Sequence, residues 1–219
     1  MTCLSLILIP LNLIAIGLYM RARIKGDLRK VIVYQPGAVI ISWSIAASSL
    51  WQQDTNVAFT VVVLVGMGIA LLGDFLNLDM ENPNVVLRGL VIAVVAYLTY
   101  GIGVTVISGF HPQDLIVAGP LLIFYVVFMR HLWPDLGDMR VPALIYGLVL
   151  PFTFWRASSC FFGSELSTLQ AMYLSLGALS LYVGDIEFAI HTYKKRLQVM
   201  YGPILYAGGQ LLIAVSTLF

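Results

Sequence analysis

Two aspartates lie where a membrane-spanning chain has least use for them. Asp185 sits in Gly177 to Ala189, GALSLYVGDIEFA, and Asp74 in Gly66 to Phe75, GMGIALLGDF. In each stretch a glycine is followed seven residues later by a second glycine and at once by the acid. An ionisable side chain near the bilayer centre costs about 2.5–3.5 kcal/mol on insertion scales, so it is retained where it faces a protein interior or a wet cavity. Within about 4–6 Å of one another, the two carboxylates would couple and divide the roles of general acid and general base. The competing reading is structural: each aspartate caps a neighbouring helix or pairs with Arg88.

Other chemistries find little support. No G-x-S-x-G elbow occurs, and His111, His131 and His191 fall in separate connections, so neither a serine hydrolase nor a histidine-rich zinc site is expected. No metal and no cofactor is expected. The remaining polar candidates are Gln35, next to Pro36, and Arg88, Tyr97, Tyr146, Tyr206 and Gln210. Gln35 either lines a polar pocket or bonds the carbonyl that Pro36 frees. Tyr206 stands four residues before Gln210 on one helix face, and a buried glutamine there needs partners.

These residues must be positioned by membrane helices. Of 219 residues 60% are hydrophobic and 11% charged, with a mean hydropathy of +0.93, which is too apolar for a soluble fold of this size. The apolar runs are continuous rather than alternating, so the expectation is an all-α polytopic bundle forming one transmembrane domain, 1–219. Eight spans are read, at about 20 residues per crossing: 4–20, 31–51, 57–77, 85–107, 115–133, 141–156, 168–190 and 202–219. The sixth is short. Asp74 and Asp185 then fall at matching depth, while Glu187 lies about 200° round its helix from Asp185 and snorkels or meets a basic loop residue. Gly66, Ala70 and Gly73 give helix three a small-residue side, and Gly73 and Gly184 would let helices three and seven approach.

Arg21, Arg23, Lys25, Arg29, Lys30, Arg88, Arg130, Arg140, Lys194, Lys195 and Arg196 lie in the first, third, fifth and seventh connections, and Arg156 falls on the other side. The positive-inside rule makes those four connections cytosolic and both termini non-cytosolic. Leu4 to Met20 reads as a retained first helix, an anchor without chemistry, and Trp155 and Arg156 read as an interfacial anchor. Cys3 and Cys160 share the non-cytosolic side, so a disulfide between them is topologically allowed. No N-x-[ST] sequon is present. The spacing of Gly89 to Tyr97 matches that of Gly202 to Gln210, which admits a parallel four-plus-four repeat of helices.

A family resemblance rests on these residues. GDFL in helix three, Gly89, Leu90, Ala96 and Tyr100 in helix four, Tyr146, Trp155-Arg156-Ala157, Gly177-Ala178 with Asp185, and Tyr206 with Gln210-Leu211-Leu212-Ile213 and Ser216 resemble the lysoplasmalogenases of the YhhN type. The spaced match covers nearly the whole chain. The resemblance implies an eight-helix integral membrane hydrolase, of the endoplasmic reticulum or a bacterial inner membrane, that cleaves the vinyl ether bond of a lysoplasmalogen. Its products are a fatty aldehyde and glycerophosphoethanolamine or glycerophosphocholine, and its catalytic pair is Asp74 and Asp185. Its partners are the lysophospholipid and the bilayer, with no nucleic acid. The chain departs from the family's usual residues at Tyr97 (histidine), Gly184 (serine) and Ala93 (phenylalanine). Tyr97, Tyr206 and Gln210 would order water or the glycerol hydroxyl, and Arg88 would hold the phosphate. The pocket would open to the cytosolic leaflet, with the alkyl chain against the outer half. The alternative is a lipid-binding or transport protein whose carboxylates bind protons without chemistry.

Overall fold

The computed structural model describes residues 3–53, 55–76, 83–194 and 201–219, the side chain of Pro83 excepted. Most of the polar stretch 77–84, and Lys195 and Arg196, lie outside them. The described residues form helices α1 (Cys3–Ile24), α2 (Leu28–Ser49), α3 (Val57–Leu76), α4 (Pro83–Ser108), α5 (Leu115–Leu132), α6 (Arg140–Ser159), α7 (Thr168–Ala189) and α8 (Gly202–Ser216), and no strand. Seven of these segments are long and apolar enough to cross a membrane, whereas α8, with 15 residues, is shorter. The sixth helix is longer than expected at 20 residues, because Arg140 opens it and Ser158 and Ser159 continue it past Arg156. A π turn, Ile190–Lys194, continues α7.

Six helices form a closed cycle of neighbours: α2 packs on α3, α3 on α4, α4 on α6, α6 on α7, α7 on α8, and α8 on α2. Outside this ring α1 lies against α2 and α8, and α5 lies against α6. The tightest approach joins α7 and α8. A Cβ on Gly177 would stand 2.8 Å from the Gly209 carbonyl oxygen and one on Gly209 2.8 Å from that of Gly177. Gly184 and Gly202 repeat the arrangement at 3.0 and 2.7 Å. Small residues let helix backbones meet where lipid supplies no hydrophobic drive. Gly184 therefore serves contact with α8, not the approach to α3 that its place beside Asp185 suggested.

Two expectations for the periphery are corrected. Arg156 is not an interfacial anchor: it is 1% exposed and pairs with the buried Asp114 at 2.6 Å. Its guanidinium also donates to Thr105 Oγ1 at 2.8 Å, Ser159 Oγ at 3.2 Å and the Gly109 carbonyl. A buried charge is tolerated when it is paired and its other donors are used. Nor is α1 a featureless anchor, since buried Asn12 donates to the Ala38 carbonyl at 2.7 Å and to Ser42 Oγ at 2.9 Å. Cys160 is buried, Cys3 is exposed, and both are free thiols. Glu187 meets the start of α8, where its Oε1 accepts from the Tyr201 N–H at 2.6 Å.

Candidate active site

Asp74 lies two residues before the end of α3, whose Gly66, Ala70 and Gly73 side is buried in the bundle as the sequence suggests. Its Oδ1 accepts from Gln35 Nε2 at 2.7 Å and its Oδ2 from the Tyr206 hydroxyl at 3.1 Å. Gln35 comes from α2 and is itself oriented, because its Oε1 accepts from the Tyr19 hydroxyl of α1 at 2.9 Å. Both polar ends of the Gln35 amide are thus engaged by side chains rather than by the carbonyl that Pro36 frees.

Asp185, near the end of α7, receives its donors from the other side of the ring. Its Oδ2 accepts from the Tyr97 hydroxyl of α4 at 2.9 Å. Tyr146 of α6 lines the same cleft as Asp185, and its ring centroid stands 6.1 Å from that of Tyr97. The two carboxylates thus share no donor. The Tyr100 hydroxyl donates to Gln210 Oε1 at 3.1 Å, which supplies one partner that buried glutamine requires. Gly66 fixes this arrangement, since a Cβ there would collide with the Tyr100 ring.

All these donors are neutral. Among the described residues no lysine or arginine forms an ion pair with Asp74 or Asp185. Arg88 is exposed on α4 and takes no part in the cluster, so neither its pairing with an aspartate nor a place beside the carboxylates is seen. Gln35, Tyr97 and Tyr206 are brought to the acids directly, Tyr146 stands with Asp185 in the lining of one cleft, and Gln210 joins indirectly through Tyr100. Sequence reasoning missed Tyr19 and Asn12. They lie seven residues apart, two turns along one face of an otherwise apolar helix, and that spacing was a usable signal. Tyr100 follows Tyr97 by three residues and shares its face.

An apolar cleft between α5, α6 and α7 reaches the cluster. Phe128, Leu132, Leu150 and Ile186 are among its walls, and Tyr146 and Asp185 stand in its lining. Asp74 does not line it. No group of three or more histidines, cysteines, aspartates or glutamates able to hold a metal ion occurs among the described residues. Two carboxylates with neutral donors, one of them lining an apolar cleft, can each give and take protons, and α3 and α7, which carry them, are not adjacent in the ring of helices.

The family model of the YhhN family matches residues 8–217. The chain belongs to the YhhN family. Comparisons with curated proteins and with solved structures returned no match. The YhhN match runs from α1 into the last turn after α8, so it encloses both aspartates and every residue that donates to them.

Proposed function

We propose that this YhhN-family protein is a membrane hydrolase that cleaves the vinyl ether bond of a lysoplasmalogen. The observation that carries the reading is Asp185: it stands in the wall of an apolar cleft and accepts from the Tyr97 hydroxyl, with no ion pair to a lysine or arginine among the described residues. An aspartate kept for structure would be expected to have an ionic partner or a helix end to cap. The alkyl chain then lies between α5, α6 and α7, not against the outer half at large.

Vinyl ether hydrolysis needs one acid, one base and no covalent nucleophile. In our reading Asp185, which faces the cleft, protonates the β-carbon of the double bond and leaves an oxocarbenium ion. Water adds to the adjacent carbon. Its proton passes to Asp74 through the Tyr206 hydroxyl, which already donates to that carboxylate. The hemiacetal then collapses: its hydroxyl proton returns to Asp185, and the proton held by Asp74 goes back through the Tyr206 hydroxyl to the departing glycerol oxygen, so both groups end as they began. Tyr97 and Tyr146 hold the Asp185 carboxylate in line with the chain.

The basic connections support placing the Leu136 end of the cleft on the cytosolic side, with both termini opposite and α8 as an eighth crossing. A four-plus-four repeat is supported by the donor pattern. Asp74 of α3 is served from α2 and α8, and Asp185 of α7 from α4 with Tyr146 of α6 beside it in the cleft, which is the same scheme advanced by four helices. The register differs, since Tyr206 follows Gly202 by four residues and Tyr97 follows Gly89 by eight. The test is aldehyde release from 1-alkenyl lysophospholipid by the purified protein. Binding of that lipid without aldehyde at any pH would hand the case to a lipid-binding or transport function.

A further inference from the structure

The cleft passes Asp185 and Tyr146, with Tyr125, Leu150 and Tyr182 to one side of them, and on the other side reaches Leu136 and Tyr193. The residues adjoining those two in sequence, Asp135 and Lys194, are joined across the gap by an ion pair of 2.5 Å. Lys194 closes the π turn that continues α7, and such turns recur at functional sites. It lies nine residues beyond Asp185, about 13 Å of rise, and its flexible four-carbon stem can turn back toward the acid. Two other described cations near this end, Arg140 and Arg88, are placed differently. Arg140 lies over the Trp133 ring at 5.3 Å and donates to the Trp133 carbonyl at 3.4 Å. Arg88 comes two residues before Leu90, which lines the cleft, so it points about 200° away from that face.

We propose that Lys194 binds the phosphodiester of a single-chain phospholipid at the mouth of this cleft, and that Asp135 holds the ammonium until the phosphate replaces it. The assignment rests on the lysoplasmalogen reading for the identity of the chain-bearing ligand. It moves the phosphate contact from Arg88 to Lys194. The pair opens to solvent on its Asp135 side, since Asp135 is 39% exposed and Lys194 13%, so a phosphate can approach the ammonium by displacing the aspartate. The lipid's phosphate meets the same ammonium while its chain runs past Asp185 along the part of the cleft lined by Tyr125, Leu150 and Tyr182. The three-carbon glycerol then spans the interval between phosphate and ether oxygen.

The test uses non-hydrolysable 1-alkyl lysophosphocholine and 1-alkylglycerol of the same chain length, titrated into the purified full chain. Wild type should bind the phosphate-bearing lipid about tenfold more tightly, since a charge-assisted contact is gained. Lys194→Met should abolish that preference and leave 1-alkylglycerol unchanged, Lys194→Arg should keep it, and Asp135→Asn should strengthen it by freeing the ammonium. Should Lys194→Met fold poorly, the opposite sign in Asp135→Asn still decides the matter, because a purely structural ion pair would make both variants weaken both ligands alike. That result, or equal wild-type affinity for the two lipids, overturns the proposal. Competition by free glycerophosphocholine as strong as that of the lipid also overturns it, since the site would then serve soluble phosphodiesters. A wild-type preference for the phosphate together with no aldehyde from the 1-alkenyl lipid would remove the proposed reaction and leave the phosphate site standing.

Discussion

Gln35 joins Tyr19 to Asp74, accepting from the tyrosine hydroxyl at 2.9 Å and donating to the carboxylate at 2.7 Å. Helix α1, which lies outside the ring, thereby sets the orientation of a carboxylate inside it. Gln35→Leu keeps the volume and removes the donor, so kcat for aldehyde release should fall by roughly 10²-fold, the range for loss of one positioned catalytic donor. Tyr19→Phe frees the amide without removing it and should cost less. A larger loss in Tyr19→Phe than in Gln35→Leu would contradict this chain of orientation.

If Asp74 and Asp185 act in one proton circuit, Asp74→Asn and Asp185→Asn should each lower kcat by roughly 10²–10⁴-fold. The double variant should be little worse than either single, because groups that act as a unit are not additive. The comparison needs monodisperse protein in detergent for all three variants. Losses that multiply would show that the two carboxylates act in separate steps.

Tyr97 stands where the resemblance to the family leads one to expect histidine. Its role in the structure is a hydroxyl donor to Asp185 at 2.9 Å, and an imidazole N–H can fill that role. Tyr97→His should therefore retain more aldehyde release than Tyr97→Phe. Equal loss in both would mean that the phenol contributes more than one hydrogen bond.

The Arg156–Asp114 pair predicts a stability effect separable from activity. Arg156→Met leaves Asp114 buried and uncompensated, at a cost of about 3–5 kcal/mol, whereas replacing both partners by apolar residues is often nearly neutral. Thermal unfolding in detergent should show a large drop in Tm for Arg156→Met and recovery in Arg156→Met/Asp114→Leu. A double variant as unstable as the single would assign the effect to the Thr105 and Gly109 contacts instead.

Gly184 has room for no side chain without adjustment, since a Cβ would stand 3.0 Å from the Gly202 carbonyl oxygen and 3.2 Å from the Leu205 Cβ. Gly184→Leu should force α7 from α8 and lower stability by about 1–3 kcal/mol, as overpacking does. Because Tyr206 rides on α8, activity should fall with it. Retained Tm and turnover in Gly184→Leu would show that the two helices slide at little cost.

The sequence made the all-helical bundle legible because hydrocarbon leaves a chain so few choices, and it made Asp74 and Asp185 legible because a carboxylate is conspicuous among apolar residues. Gln35, Tyr97, Tyr146 and Tyr206 were legible as polar residues needing partners. Their pairing was not, since which hydroxyl reaches which acid depends on the cycle of helix neighbours. Arg156 was misread for a related reason: at a helix end it looks like a headgroup anchor, and only its meeting with Asp114, 42 residues away in sequence, turns it inward. Asn12 and Tyr19 escaped because two polar residues in an apolar helix barely change its mean character. Gly184 was assigned to the wrong neighbour because a small residue permits approach without naming the helix that approaches.

The neutral cradles around the aspartates have a consequence for ionic strength. Salt screens exposed charges over a Debye length of about 8 Å at physiological concentration and acts weakly on hydrogen bonds between an enclosed carboxylate and phenols or an amide. Nothing in the Asp74 and Asp185 sets depends on a cation, whereas the Lys194 contact at the cleft mouth does, and its partner Asp135 is 39% exposed. Added sodium chloride should therefore raise KM for a phosphate-bearing substrate and leave kcat nearly flat, so that a salt titration reports on the lipid's arrival separately from the bond that is broken.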